Sequence, residues 1–296
     1  MPTARLERAP AKINLTLRVL GRRPDGYHEI ESLVAFAGVG DTLAFTPGKT
    51  LTLAVRGPSA AAAGEIADNL VLKAVRALAQ HTEGLKLGRF ALSKRLPVAA
   101  GVGGGSSDAA AALRLIARHN RIAPHDDRLL AAARATGADV PVCLDPQPRL
   151  MRGIGEVLSP PWRLPVLPAL LVNPRVSVAT SDVFAALKAP AFAKSVASSA
   201  QDGWTGESRE DLIDFLARQG NDLEAPAIAL HPAIARMLAA LRALEGCRLA
   251  RMSGSGGTGF GLFDSRRAAA AAARALRGAH PAWWIRPTVL GGSSSR

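Results

Sequence analysis

The sequence predicts a mixed fold of helices and strands in two medium domains. Residues 12–20 alternate apolar and polar with the period of a strand, whereas 69–80 and the alanine-rich stretch after Ser107 repeat with the period of a helix. At 296 residues the chain is long enough for one large or two medium domains. Residues 149–168, rich in proline and glycine, separate these segments from a further set of strands and helices, which puts the domain boundary there. The domains expected are 1–160 and 161–290, with 291–296 a flexible tail.

The elements follow in order. Ile13, Leu15, Leu17 and Val19 share one face of 12–20; Lys12, Asn14, Thr16 and Arg18 share the other, so a half-buried strand is expected. It ends in Gly21-Arg22-Arg23-Pro24-Asp25-Gly26, a turn by composition. Tyr27 and His28 open further strand material to Phe36. Residues 41–45 and 51–55 flank Pro47-Gly48 and read as a hairpin.

In 69–80, Val71, Ala74, Val75 and Leu78 fall at helical spacing behind Asp68 and Asn69. A short strand at 89–93 runs into a glycine-rich loop, a helix follows to about His119, and another covers 127–135 and stops at Gly137. Asp139 then stands in a turn before a short apolar strand. Beyond the boundary come a strand at 169–173 and a helix at 180–187 with Thr180 or Ser181 as its cap. Residues 195–208 read as a polar, mobile loop. A helix at 233–244, strands at 248–252 and 259–263, and a helix at 265–276 complete the chain.

Composition excludes several classes. Hydrophobic residues make up 48%, as in a globular interior. No apolar run approaches the roughly 18 residues that a membrane span needs. The N-terminus, Met-Pro-Thr-Ala-Arg-Leu-Glu-Arg, is charged and lacks the apolar core of a secretory signal. Cys143 and Cys247 give neither a disulfide framework nor metal-ligand spacing. A cytoplasmic, reduced protein is expected. The net charge of +13 admits nucleic acid or an anionic small substrate as partner. Basic residues are spread along the chain, with no basic arm, and aromatics reach only 4%, so a solvated arginine-rich surface is favoured over nucleic-acid binding.

The chemistry centres on Pro97-Val98-Ala99-Ala100-Gly101-Val102-Gly103-Gly104-Gly105-Ser106-Ser107. Glycine admits positive φ and lets backbone N–H groups approach a ligand with no Cβ in the way. Ser106 or Ser107 can cap the following helix, and Asp108 suits its first turn. A glycine-rich loop feeding a helix start is a phosphate cradle. A Walker A loop would need Lys-Ser/Thr after the last glycine, and a dinucleotide fingerprint a glycine where Ser106 stands; neither fits. The plain alternative, a flexible Gly-Ser linker, suits a run between domains better than one between an apolar segment and a strong helix. Residues 254–259 formally match G-x-G-x-x-G, but apolar Phe260-Gly261-Leu262-Phe263 follows at once where a helix is required. They read as a strand–loop–strand that packs glycine backbone against the phosphate site.

Four linked motifs, Pro10-Ala11-Lys12-Ile13-Asn14-Leu15, Asp25-Gly26-Tyr27-His28, 97–107 and Gly137-Ala138-Asp139-Val140-Pro141, together with 252–259 near the end, resemble the GHMP small-molecule kinase family over nearly the whole chain. The resemblance implies an α+β fold: an N-terminal domain similar to ribosomal protein S5 domain 2 and a ferredoxin-like C-terminal domain. It implies ATP as phosphoryl donor, Mg²⁺, and 4-diphosphocytidyl-2-C-methyl-D-erythritol as acceptor, phosphorylated on its 2-hydroxyl. Gly256-Gly257-Thr258 departs from the family's Gly-Ala-Thr or Gly-Ala-Cys, which leaves the reaction untouched.

Roles carry over by resemblance. Loop amides from Gly101 to Ser107 hold the triphosphate, and Ser107 ligates Mg²⁺. Asp139 is the general base and Lys12 holds it ionised or stabilises the transferred charge. Tyr27 stacks on the cytosine, His28 bonds its edge, and Phe184 is the second aromatic face, with Thr180 nearby. Asn14 resembles a substrate contact; Asn69 and Lys94 resemble residues of the adenine pocket. Read without the family, Asp139 is a loop or capping aspartate, Lys12 a solvated strand lysine and Asn69 a helix-start asparagine. The rivals are a basic RNA-binding module and another GHMP kinase, such as a homoserine or mevalonate kinase. Monomer and homodimer stay open.

Overall fold

The computed structural model describes residues 4–193, 204 and 208–291. Most of the expected loop at 195–208 and all of the tail after Gly291 lie outside the described residues. The chain divides into two compact units that interleave along the sequence: Met1–Lys12, Gly40–Val98 and Gly103–Pro146 form one; Ile13–Val39, Ala99–Val102 and Gln147–Arg296 form the other.

In the first unit the second half of β3 (His28–Pro47) pairs antiparallel with β5 (Gly88–Ser93), Thr42 opposite Ser93 and Pro47 opposite Gly88. On its other flank β5 pairs in parallel with β4 (Thr52–Arg56). The expected hairpin between 41–45 and 51–55 is therefore not formed, because β5 lies between those strands. Parallel neighbours need a crossover, and α1 (Leu70–Gln80) supplies it. Its inward face is Val71, Leu72, Ala74, Val75 and Leu78. Asn69 caps it, its side chain accepting from the Val71 N–H. Helices α2 (Gly104–Asn120), α3 (Asp127–Thr136) and α4 (Val140–Leu144) complete the unit. Alanines 109–112 of α2 are fully buried; their small side chains let neighbouring elements come close. The apolar stretch after Asp139, expected as a strand, is the single turn α4, with Pro141 in its first positions, where a fixed φ suits a helix start.

Strand β1 (Arg5–Asn14) begins earlier than expected and ends at Asn14; β2 (Arg18–Arg22) follows. The polar face of β1 is not solvated: Lys12 and Asn14 are buried on either side of Ile13.

In the second unit β3 continues with β2 on one flank, Arg18 opposite Glu31, and β6 (Arg149–Gly153) on the other, Val34 opposite Arg149. β6 and β7 (Val157–Leu158) lie inside the stretch read as a boundary. A four-strand antiparallel array follows, of β8 (Leu167–Asn173), β9 (Cys247–Met252), β10 (Gly259–Phe263) and β11 (Trp284–Leu290) in the order β11-β8-β10-β9. In chain order that is fourth, first, third, second, the ferredoxin-like arrangement expected. α5 (Thr180–Leu187), α6 (Arg209–Ala217), α7 (Glu224–Leu230) and α8 (Pro232–Arg242) fall between its first and second strands, and α9 (Arg266–Ala279) before its last. Met237, Leu238 and Leu241 of α8 and Ala269, Ala273 and Leu276 of α9 share one core with Leu170, Val172 and Ile285.

Candidate active site

Asp139 is the N-cap residue of α4. A capping aspartate normally accepts from the N–H of the second or third helical residue. Here the second is Pro141, which has no N–H, and the Asp139 carboxylate makes no capping bond. It turns instead to Lys12, whose ammonium lies 2.7 Å from Oδ1. The Lys12 side chain is 4% exposed and that of Asp139 38%. A buried ammonium requires a partner. The result is an aspartate open to a ligand on one side and held by a fixed cation on the other.

The loop reaches α2 through Gly103, whose φ of 60° is the left-handed region. A Cβ there would meet the Lys12 side chain, 3.1 Å from its Cβ and 3.3 Å from its Cε. Gly103→Ala therefore both strains the backbone, by about 1–2 kcal/mol, and displaces Lys12. The expected outcome is a fall in kcat of about tenfold or more, each 1.4 kcal/mol being a factor of ten, measured at saturating ATP. Unchanged turnover would separate the loop from the lysine. Gly104 and Gly105 are the first helical residues of α2, not part of a left-handed loop.

The serines do not cap α2, since Gly103 holds that position without a side-chain bond. Ser107 Oγ donates to the Pro10 carbonyl at 2.5 Å and is buried. Beside it, Cys143 is closed off, its thiol pushed up to about 12 by burial and then by the Asp139 charge. Asp108 is not at the helix start but inside α2, fully buried. Lys94 Nζ reaches Asp108 Oδ2 and Asp41 Oδ2, each at 2.6 Å. Burial, then the nearby Asp41 charge, outweighs Lys94 and lifts the Asp108 carboxyl to about 8. Burial pulls Lys94 down, but Asp108 and Asp41 more than offset it and its ammonium is stabilised.

In the second unit, Gly26 at φ 87° and the Asp25 carboxylate, accepting from the Tyr27 N–H at 3.1 Å, shape the turn before β3. Tyr27 is left 59% exposed. The His28 ring stacks on Phe184 of α5, centroids 4.7 Å apart and planes 27° from parallel. Burial, then the Arg22 guanidinium, disfavours the charged imidazolium of His28. Helix α5 starts at Thr180 behind Ala179, with no side-chain cap; the Thr180 hydroxyl pairs instead with Ser255 Oγ at 2.8 Å. Asn14 donates from Nδ2 to Ser32 Oγ at 2.7 Å, and its buried Oδ1 has no partner.

Gly101, φ 71°, lies so close to the third glycine motif that a Cβ would strike the carbonyl oxygens of Ser253 and Gly256. Ser253 Oγ donates to the Gly101 carbonyl at 2.9 Å. The strand–loop–strand reading of 254–259 is thus what the fold contains: β9, a glycine turn, β10. Sequence reasoning missed the turn's support. Asn221 Nδ2 donates to the carbonyls of Met252 and Gly254, and Glu224 accepts from the Met252 N–H. No motif announces these residues. Asp41 is missed likewise.

The structure thus brings together Lys12, Asp139 and Gly103–Ser107 within the first unit, and Tyr27, His28, Phe184, Thr180 and Asn14 are carried by the second. Among the described residues there is no cluster of three or more His, Cys, Asp or Glu that could hold a metal ion. Magnesium keeps waters and phosphate oxygens, so one protein oxygen can suffice. The Ser107 hydroxyl is buried and already bonded. Ser106, half-buried at the first turn of α2, is less enclosed than Ser107.

The sequence and the fold both have known counterparts. Residues 69–145 match the GHMP kinases N terminal domain family and 206–282 the GHMP kinases C terminal family. The chain is 55% identical to 4-diphosphocytidyl-2-C-methyl-D-erythritol kinase of Methylorubrum extorquens, over 96% of this chain and 98% of that one. It is 57% identical to the Xanthobacter autotrophicus protein of the same name, again over 96% and 98%. Its fold superposes on a crystal structure of 4-(cytidine 5'-diphospho)-2C-methyl-D-erythritol kinase with a TM-score of 0.77 at 34% identity, covering 98% and 100% of the two chains. A homoserine kinase from Cytophaga hutchinsonii shares the fold at a TM-score of 0.70 and 20% identity, covering 99% and 95%.

Proposed function

The chain belongs to the GHMP kinase family, and from that premise we propose that it transfers the γ-phosphoryl group of ATP to the 2-hydroxyl of 4-diphosphocytidyl-2-C-methyl-D-erythritol, a step in the non-mevalonate route to isoprenoids. The acceptor oxygen bonds to the γ-phosphorus, the bond from that phosphorus to the β–γ bridging oxygen breaks, and ADP and a proton leave. The observation that carries this reading is the Lys12–Asp139 pair. Phosphoryl transfer asks the protein for positioning and charge stabilisation. Asp139 accepts the hydroxyl proton as the new bond forms. Lys12 keeps that carboxylate oriented and stabilises charge on the transferred group.

Amides of the loop from Gly101 to Ser107 hold the phosphates, favoured by the N-terminal end of α2. Magnesium, when bound, neutralises phosphate charge, with Ser106 as its protein ligand. Asn69 borders the adenine. Tyr27 and Phe184 provide faces for the cytosine and neutral His28 bonds its edge. Thr180 and Asn14 hold the rest of the acceptor, for which the unpartnered Asn14 Oδ1 is available. The cytoplasm supplies ATP and keeps Cys143 and Cys247 free; no described helix is long and apolar enough to cross a membrane.

Neutral His28 and the aromatic ring beside it suit a pyrimidine and have nothing to offer homoserine or mevalonate. ADP release measured with each of the three as acceptor tests the reading. Turnover with the cytidyl acceptor alone is expected; equal turnover with homoserine or mevalonate would remove it.

A further inference from the structure

Among the described residues, Lys94 is the one lysine held between two buried aspartate carboxyl groups. Those contacts join three separate places in the chain. Asp41 lies on β3, where its Oδ1 accepts from the N–H groups of Arg95 at 2.5 Å and Leu96 at 2.9 Å. Lys94 and those amides are the entry to the phosphate loop, immediately before Pro97. Asp108 lies on α2, just past the loop's exit at Gly103. The Lys94 ammonium bridges Asp41 to Asp108, so entry and exit are tied to the same point of β3. A Cβ on Gly104 would stand 3.2 Å from Lys94 Nζ, which puts the ammonium directly under the first turn of α2.

We propose that Asp41, Lys94 and Asp108 are positioning residues that clamp both ends of the phosphate loop and set its span before nucleotide arrives. The proposal rests on the reading of 97–107 as the triphosphate cradle, and it changes the part given to Lys94. Lys94 is 4% exposed and at least two of its three ammonium N–H groups face aspartate oxygens. It acts on nucleotide through the loop, not by reading the adenine. The amides of a phosphate cradle work only when they converge, and a preset loop avoids the ordering cost of binding.

The clamp and an adenine contact predict different losses. Asp108→Ala releases the exit end but leaves the Lys94–Asp41 ion pair and the bonds from Asp41 to Arg95 and Leu96. Asp108→Asn keeps an oxygen for Lys94. The probes are inorganic tripolyphosphate, ADP and adenosine, bound to the purified full-length protein and followed by calorimetry or competition. Asp108→Ala is expected to weaken tripolyphosphate and ADP by about 10- to 100-fold, the scale of a misplaced binding group, and to leave adenosine within about threefold. Asp108→Asn should restore both to within about threefold of the parent. The KM for the cytidyl acceptor should not change in either variant. If Asp108→Ala does not fold, Asp108→Leu fills the same volume without the tie and carries the same expectation.

Parent-like tripolyphosphate affinity in the folded variant would overturn the clamp. Equal loss of adenosine and ADP would overturn it in favour of a direct adenine contact. If the parent protein itself binds neither tripolyphosphate nor ADP, the cradle reading fails first, and the clamp falls with it.

Discussion

Asp139→Asn is expected to lower kcat by about 10²–10⁴-fold, the range for a positioned acid–base group, with the affinity for ATP nearly unchanged. Asparagine has the size of aspartate and keeps an oxygen toward Lys12, 2.7 Å away in the parent. It cannot take a proton from the acceptor hydroxyl. Nor does the change cost the helix a cap, because Asp139 makes no capping bond in α4. The loss should therefore fall on chemistry and not on folding or binding. Steady-state kinetics with calorimetric titration of nucleotide separates the two, and near-normal turnover would end the assignment of Asp139 as base.

Tyr27→Ala should raise the KM for the cytidyl acceptor by about 5- to 150-fold, because stacking of a base on an aromatic is worth about 1–3 kcal/mol. Tyr27 is 59% exposed, so its removal opens no cavity in a core. Tyr27→Phe should be mild, since the ring face remains. The KM for ATP should hold in both, because other residues carry the phosphates. If both KM values rise together in Tyr27→Ala, the pyrimidine is held elsewhere.

Much of this was legible in the sequence, and the exceptions have physical causes. Helix α1 was readable because Val71, Ala74, Val75 and Leu78 repeat at helical spacing and Asn69 is a good cap. The glycine loop was readable because its run of glycines ends in a helix. The polar face of β1 was misread. Alternation reports which face meets polar partners, not which face meets water, and Lys12 meets Asp139 in the interior. The apolar run after Asp139 was too short to tell a strand from a turn of helix by period; Pro141 was the signal for the helix.

Pairing between strands carries no local mark, so the end of β3 and β4, which flank Pro47-Gly48, read as a hairpin although β5 lies between them. β11 escaped notice because Pro287 argues against a strand. It pairs along its length with β8 and meets β3 only at Leu290, so a flank is left where a missing N–H does no harm. The roles of Asp41 and Asp108 are hidden for another reason: their partner Lys94 lies outside their own elements, 53 residues from Asp41 and 14 from Asp108.

The claim on which the rest depends is that the phosphoryl group arrives on the 2-hydroxyl of a cytidyl-carrying methylerythritol. The carbon at that position carries the methyl branch and no hydrogen, unlike the other hydroxyl-bearing carbons. A proton-coupled phosphorus NMR spectrum of the product, made from ATP and the cytidyl acceptor, therefore decides it directly. The expected result is a new phosphomonoester resonance without splitting by a carbinol proton, growing in step with ADP. A doublet or triplet at that resonance, or ADP released with no new monoester, would contradict the account.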